Sequence, residues 1–153
     1  MFLEKVLIRA MHGVHLVARP VTLGVRAAVF DERGQVFLVR HTYVSGWYMP
    51  GGGVDPGETA EEAMRRELME EGNIELEGGP DLVSVHFNRN ASNRDHVLFY
   101  QCRALRQTAP KRPDREIAEA GFFPPDALPE ATTDATRRRL AELTGEREVV
   151  PYW

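Results

Sequence analysis

The chain has 153 residues, 42% of them hydrophobic and 27% charged, which suits one ordinary domain over 1–153 that buries roughly 70% of its unfolded surface. Its net charge of −4 argues against duplex nucleic acid as a partner, because phosphate affinity rests on an excess of Lys and Arg. No run approaches the ~20 apolar residues of a membrane span, and Glu4, Lys5, Arg9 and His12 break the N-terminus as a signal peptide, so a cytoplasmic protein that does not engage membrane is the expectation.

Phe2, Leu3, Val6, Leu7, Ala10, Met11, Val14 and Val17 recur at helical spacing and predict an amphipathic helix from 2 to about 16, within an N-terminal extension (1–20) that Pro20 closes. It is expected to pack on the domain or on a second subunit. Thr22 to Phe30 and Gln35 to Arg40 alternate as strands around Asp31-Glu32-Arg33-Gly34, which predicts a β-hairpin. A glycine-rich loop, Pro50-Gly51-Gly52-Gly53-Val54-Asp55-Pro56-Gly57-Glu58, leads into an acidic helix to about Glu71, with Thr59 at its first turn. Leu82 to Phe87 and Val97 to Leu105 read as strands around a polar loop. Residues 106–115 read as an exposed basic loop, Gly121 to Pro124 as a short strand, and Thr133 to Thr144 as a last helix with Leu140 and Leu143 inward. Cys102, in an apolar run, reads as a small buried hydrophobe rather than a catalytic thiol.

The acidic helix is not an ordinary solvated face. At about 100° per residue, Ala60, Met64 and Leu68 form the core arc, and Glu67, Glu70 and Glu71 fall beside it. The outer face is already furnished by Glu61/Arg65 and Glu62/Arg66 at i,i+4 spacing. Crowded carboxylates near the protein body cost several kcal/mol unless paired, and a divalent cation with oxygen ligands relieves that cost. Gly51, Gly52 and Gly53 let backbone approach a ligand closely. Together these two features describe a pocket with metal on one wall and backbone on the other.

Gly52, Glu58 and the run Arg66-Glu67-Leu68-Met69-Glu70-Glu71-Gly72-Asn73-Ile74 resemble the Nudix box, G-x5-E-x7-R-E-U-x-E-E-x-G-U with U aliphatic, over residues 52–74. One position departs: Asn73 stands where the box has its last glycine. Asn tolerates the left-handed backbone wanted just past a helix end better than other non-glycine residues. The resemblance implies an α/β Nudix fold, a mixed β-sheet sandwiched between helices, here with an extra N-terminal helix.

It also implies hydrolysis of a diphosphate bond in a nucleoside diphosphate linked to another moiety, with Mg²⁺ or Mn²⁺. Position by position, Glu67, Glu70, Glu71 and the Gly51 carbonyl would hold metal, while Glu58, Arg66 and Asn73 would maintain the motif. A further carboxylate is expected from a later loop, Glu116 first and Glu119 second, and the general base is Glu67 or Glu116. Arg40, Arg26, Gly52 and Gly53 are the expected substrate contacts, with Arg89, Asn90 and Arg94 in the polar loop. Trp47 and Tyr48 are expected beneath the glycine loop, and His86 and His96 in structural or exposed roles. Pro151-Tyr152-Trp153 is expected to dock on its own domain or at a homodimer interface. The alternative function is a non-catalytic nucleotide sensor, against which the intact carboxylate set argues.

Overall fold

The computed structural model describes the backbone of Phe2–Trp153 and side-chain burial from Glu4 onward; the side chains of Phe2 and Leu3, assigned above to the apolar face, lie outside the described set. The alternating segment after Pro20 forms β1 (Thr22–Val29), and the next apolar run forms β2 (Val36–His41). The turn between them is held by the Asp31 carboxylate, which accepts from the N–H groups of Arg33 and Gln35 at 3.0 and 2.8 Å.

These strands do not form the expected hairpin. Beyond a single bridge at Phe30 and Val36, β1 runs parallel to β5 (Asp95–Cys102), and β2 runs antiparallel to β7 (Ile117–Phe123). The reason is competition for edges. The other edge of β1 is taken by the glycine loop, with Val25 N–H donating to the Gly52 carbonyl at 2.8 Å and Ala27 N–H to that of Pro50 at 3.1 Å. The other edge of β2 exchanges two 2.9 Å bonds between Val39 and Tyr48.

The first sheet has the order β1-β5-β4, with β4 (Asp81–Phe87) antiparallel to β5 at the edge. A further pair joins β3 (Ile74–Leu76) to β6 (Leu105–Gln107), so the segment expected as loop from 106 begins as strand. Strand periodicity sends side chains into two cores. Val25, Ala27, Phe37 and Val39 pack with Met64 and Leu68 of α2 (Ala60–Gly72). Ala28, Val36 and Leu38 pack with Trp47, Phe99 and Leu140 of α3 (Asp134–Leu143). The result is the helix-flanked mixed α/β arrangement that the resemblance implies. Cys102 is buried, which pushes its thiol up to about 12.

The helix α1 (Phe2–Ala18) forms as the periodicity predicts. It does not pack on the body: every residue from Glu4 to Arg19 is exposed. No described helix is long and apolar enough to cross a membrane.

At the other end, the tail adds itself to the β4 edge. Phe87 N–H donates to the Pro151 carbonyl at 2.8 Å, and Trp153 N–H to that of Phe87 at 3.1 Å. Beneath it, fully buried Arg139 donates to Glu142 Oε1 at 2.7 Å and lies 2.9 Å from His86 Nε2. His86 Nδ1 is 2.8 Å from the Val150 carbonyl, to which it donates in the neutral ring. Burial and the Arg139 charge hold the His86 pKa down to about 4. The unfolded chain therefore takes up a proton near 6.5 that the folded chain refuses until about 4, and stability present above 6.5 is lost as pH falls through that window. The thermal midpoint should decline from pH 6.5 to 4 by the equivalent of up to about 3 kcal/mol. His86→Gln should flatten that part of the profile; an unchanged slope in the variant would refute the assignment.

Candidate active site

The acidic helix starts with a capping box: Glu62 N–H donates to Thr59 Oγ1 at 3.2 Å, and Thr59 N–H to Glu62 Oε2 at 2.7 Å. This capping overturns the expected Glu62/Arg66 pair, whereas Glu61 and Arg65 do meet at 2.8 Å. At the far end Asn73 adopts φ 54°, the left-handed region, and its N–H returns to the Met69 carbonyl. Released from Glu62, Arg66 reaches Glu58 at 2.8 Å, Glu67 Oε1 at 2.7 Å and the Gly53 carbonyl at 3.0 Å, with Glu70 more distant at 3.5 Å. Glu58 also accepts from Asp55 N–H at 2.7 Å, and these bonds to Arg66 and Asp55 hold its carboxyl below the usual range. Helix and loop are thereby tied by one guanidinium.

The second tie is more deeply buried. Gly51 N–H donates to Glu71 Oε2 at 2.8 Å, and Glu71 is 3% exposed. Desolvation raises its pKa to about 7 despite the opposing pull of Arg26 and the Gly51 bond. Glu67 is raised too, first by burial, against the lowering bond to Arg66. Glu70 is exposed. The three carboxylates thus sit at graded depth on α2: Glu71 and Glu67 meet the loop at Gly51 and Gly52, while Glu70 approaches Arg66 at 3.5 Å.

A further group meets at Glu71. One ligand atom each from His41, Glu71 and Glu116 lie within 4.8 Å of one another, with His41 Nε2 3.6 Å from Glu71 Oε1. His41 is buried and its Nδ1 has no hydrogen-bond partner, and burial together with Arg26 lowers its pKa. A neutral imidazole beside hard carboxylate oxygens fits a divalent cation. His41 had no signal in the sequence. It enters because a register shift between Arg40 and His41 ends the regular β2 pairing, and the contact is made across elements far apart in the chain.

The other assigned residues divide in two. Arg26 donates to the Met49 carbonyl at 3.0 Å and, with Gly52 and Gly53, lines a cavity of about 740 Å³. Asn90, Tyr48 and Trp153 line it as well. Arg40 instead pairs with Glu119 at 2.9 Å on exposed β2–β7 surface, outside that lining. Arg89 stacks over Tyr152 at 4.4 Å, and Trp47 packs edge-on against Phe123 in the core.

Two glycines are needed for different reasons. A Cβ on Gly51, at φ 138°, would stand 2.0 Å from the Val25 carbonyl oxygen, whereas one on Gly52 would stand 2.2 Å from Glu67 Oε1. Backbone cannot yield where a side-chain tip can. Gly51→Ala should cost roughly 3 kcal/mol or more, read by denaturant unfolding. Gly52→Ala should fold normally yet displace Glu67 and lose metal affinity; equal stability loss in both variants would contradict this division.

Known proteins give the same pattern. The NUDIX domain profile matches residues 20–144. The Homo sapiens 8-oxo-dGDP phosphatase is 29% identical over 126 residues, covering 80% of this chain and 38% of that protein. The RNA pyrophosphohydrolase of Serratia proteamaculans is 49% identical over 43 residues, covering 28% of this chain and 25% of that protein. The chain therefore spans a quarter to two fifths of the length of these curated relatives. A MutT NUDIX hydrolase structure from Burkholderia pseudomallei superposes with a TM-score of 0.64 at 30% identity, over 76% of this chain and 92% of that one. An ADP-ribose pyrophosphatase from Streptococcus suis gives 0.61 at 25% identity, over 84% and 94%. Motif, fold and profile agree: the chain belongs to the NUDIX domain family.

Proposed function

We propose that this protein is a metal-dependent pyrophosphohydrolase that cuts a phosphoanhydride in a nucleoside diphosphate linked to another moiety, acting in the cytoplasm. The observation that carries the reading is the graded set of Glu67, Glu70 and Glu71 on the helix behind a glycine loop whose Gly52 and Gly53, with Arg26, line the adjoining cavity. Glu67, Glu70 and Glu71 would hold Mg²⁺ or Mn²⁺ with the Gly51 carbonyl, since the neighbouring carbonyls of Pro50 and Gly52 are committed to β1. When bound, the ion supplies Lewis acidity and lowers the pKa of a coordinated water.

The chain's own groups do the rest. Gly52 and Gly53 let the diphosphate lie close to backbone, and Arg26 offsets phosphate charge that would repel a nucleophile. Arg66 orients Glu67 by the 2.7 Å bond to its Oε1. A carboxylate oxygen of Glu67 or Glu116 takes the proton of the attacking water; burial raises Glu67 toward the operating pH, which favours it as base. Exposed Glu116 lies 3.5 Å from Tyr43 Oη.

A panel of nucleoside phosphates with Mg²⁺ or Mn²⁺, scored for phosphate or diphosphate release and for ¹⁸O incorporation from water, tests the reading. Glu70→Gln should fold as wild type and lose at least tenfold in activity. Of Glu67→Gln and Glu116→Gln, the variant that loses the acidic limb of the pH–rate profile identifies the base. Activity of Glu70→Gln within threefold of wild type, or a wild type inert across the panel, would overturn the proposal.

A further inference from the structure

Among the described residues, the apolar side of α1 is left exposed. Val6, Leu7, Met11, Val14 and Val17 share one half of the helix, and each is between 52% and 83% exposed. The opposite half carries Lys5, Arg9, His12 and His15, interleaved with exposed Ile8 and Leu16. This helix also precedes the family-matched span, which begins at residue 20, so it is an addition to the NUDIX body rather than part of it.

A second apolar surface lies on the sheet. Register places Leu23, opposite His96, on the same face as Val85, opposite Leu98, and Leu82, opposite Tyr100. The helix α2 covers this face over Val25 and Ala27 but stops short of its edge, where Leu82 and Val85 remain 53% and 51% exposed. Exposed Val21 joins α1 to Leu23, so the two surfaces are neighbours along the chain.

We propose that a second copy of this chain covers both: in a two-fold dimer, α1 of each copy lies across the β4 face of its partner. Three observations favour this occupant. The two surfaces are an apolar helix side and an apolar sheet face, and a two-fold exchange covers both at once. Segment and body also attract as wholes: residues 1–19 carry three basic groups and one acidic, net +2, while the remainder carries sixteen and twenty-two, net −6. Exposed Glu77 and Asp81 stand at the Leu82 end of the face. Their size also suffices, because the two sets of exposed apolar residues together offer on the order of 800 Å² per copy, the scale of one partner's share of a standard interface. Pairing α1 with α1 alone would leave the sheet face in water.

Light scattering of the full chain at tens of micromolar should give twice the 17.3 kDa chain mass. Met11→Glu with Val14→Glu, and separately Val85→Glu, should each weaken the dimer at least 100-fold while melting cooperatively. All three positions are solvent-exposed in the single chain. Mixing Val14→Cys with Val85→Cys chains should yield a cross-linked pair under oxidation, Cys102 being buried. A monomeric wild type, a dimer that survives Val85→Glu, or a monomer that instead sediments with anionic lipid vesicles would each overturn the proposal.

Discussion

The hydrogen bond from Gly51 N–H to the buried Glu71 carboxylate, 2.8 Å long, is the constraint on which the site depends. It fixes the glycine loop against α2 at the point where that loop also pairs with β1. A carboxylate buried this deeply resists ionisation, and its pKa near 7 records the cost. The cost is tolerated because the loop amide and the Arg26 charge oppose it, and because the position is one where a cation would favour the charged form. Arg66 then sets the outer carboxylates relative to this anchor. The site is thus a gradient, from fully buried Glu71 through half-buried Glu67 to exposed Glu70, rather than a cluster of equivalent acids.

Much of this gradient was legible in the sequence, because helical spacing alone decides which carboxylates face the body. The same arithmetic placed Met64 and Leu68 in the core, where they lie. The left-handed Asn73 was legible too, since few other side chains accept φ 54°. What failed were choices between partners. Arg66 had four acids in reach, Glu58, Glu62, Glu67 and Glu70, and the capping box removed Glu62 from the competition. The strands flanking Asp31 carried hairpin turn chemistry, yet each found a stronger non-local edge. His41 was invisible because nothing local distinguishes a histidine at a strand end from one that meets Glu71 across the fold.

The family-matched span stops short of both ends of the chain, at 20 and 144, and the two flanks behave differently. The tail after 144 closes over buried Arg139 and His86 and brings Trp153 to the cavity wall. It thereby couples the cavity to the edge of β4. The flank before 20 forms a helix whose described residues, Glu4 to Arg19, are all exposed. One flank completes the fold from within, whereas the other leaves its described apolar side chains exposed.

The central claim is that the buried carboxylate at the loop is a cation ligand held protonatable until the ion arrives. Calorimetric titration of Mn²⁺ at pH 6 and pH 8 addresses it directly, since binding must displace the proton from Glu71 below about 7. Affinity should rise about tenfold across that interval, with proton release at the lower pH, and Glu71→Gln should abolish the rise. Absence of Mn²⁺ uptake by the wild type, or an affinity indifferent both to pH and to Glu71→Gln, would contradict the account.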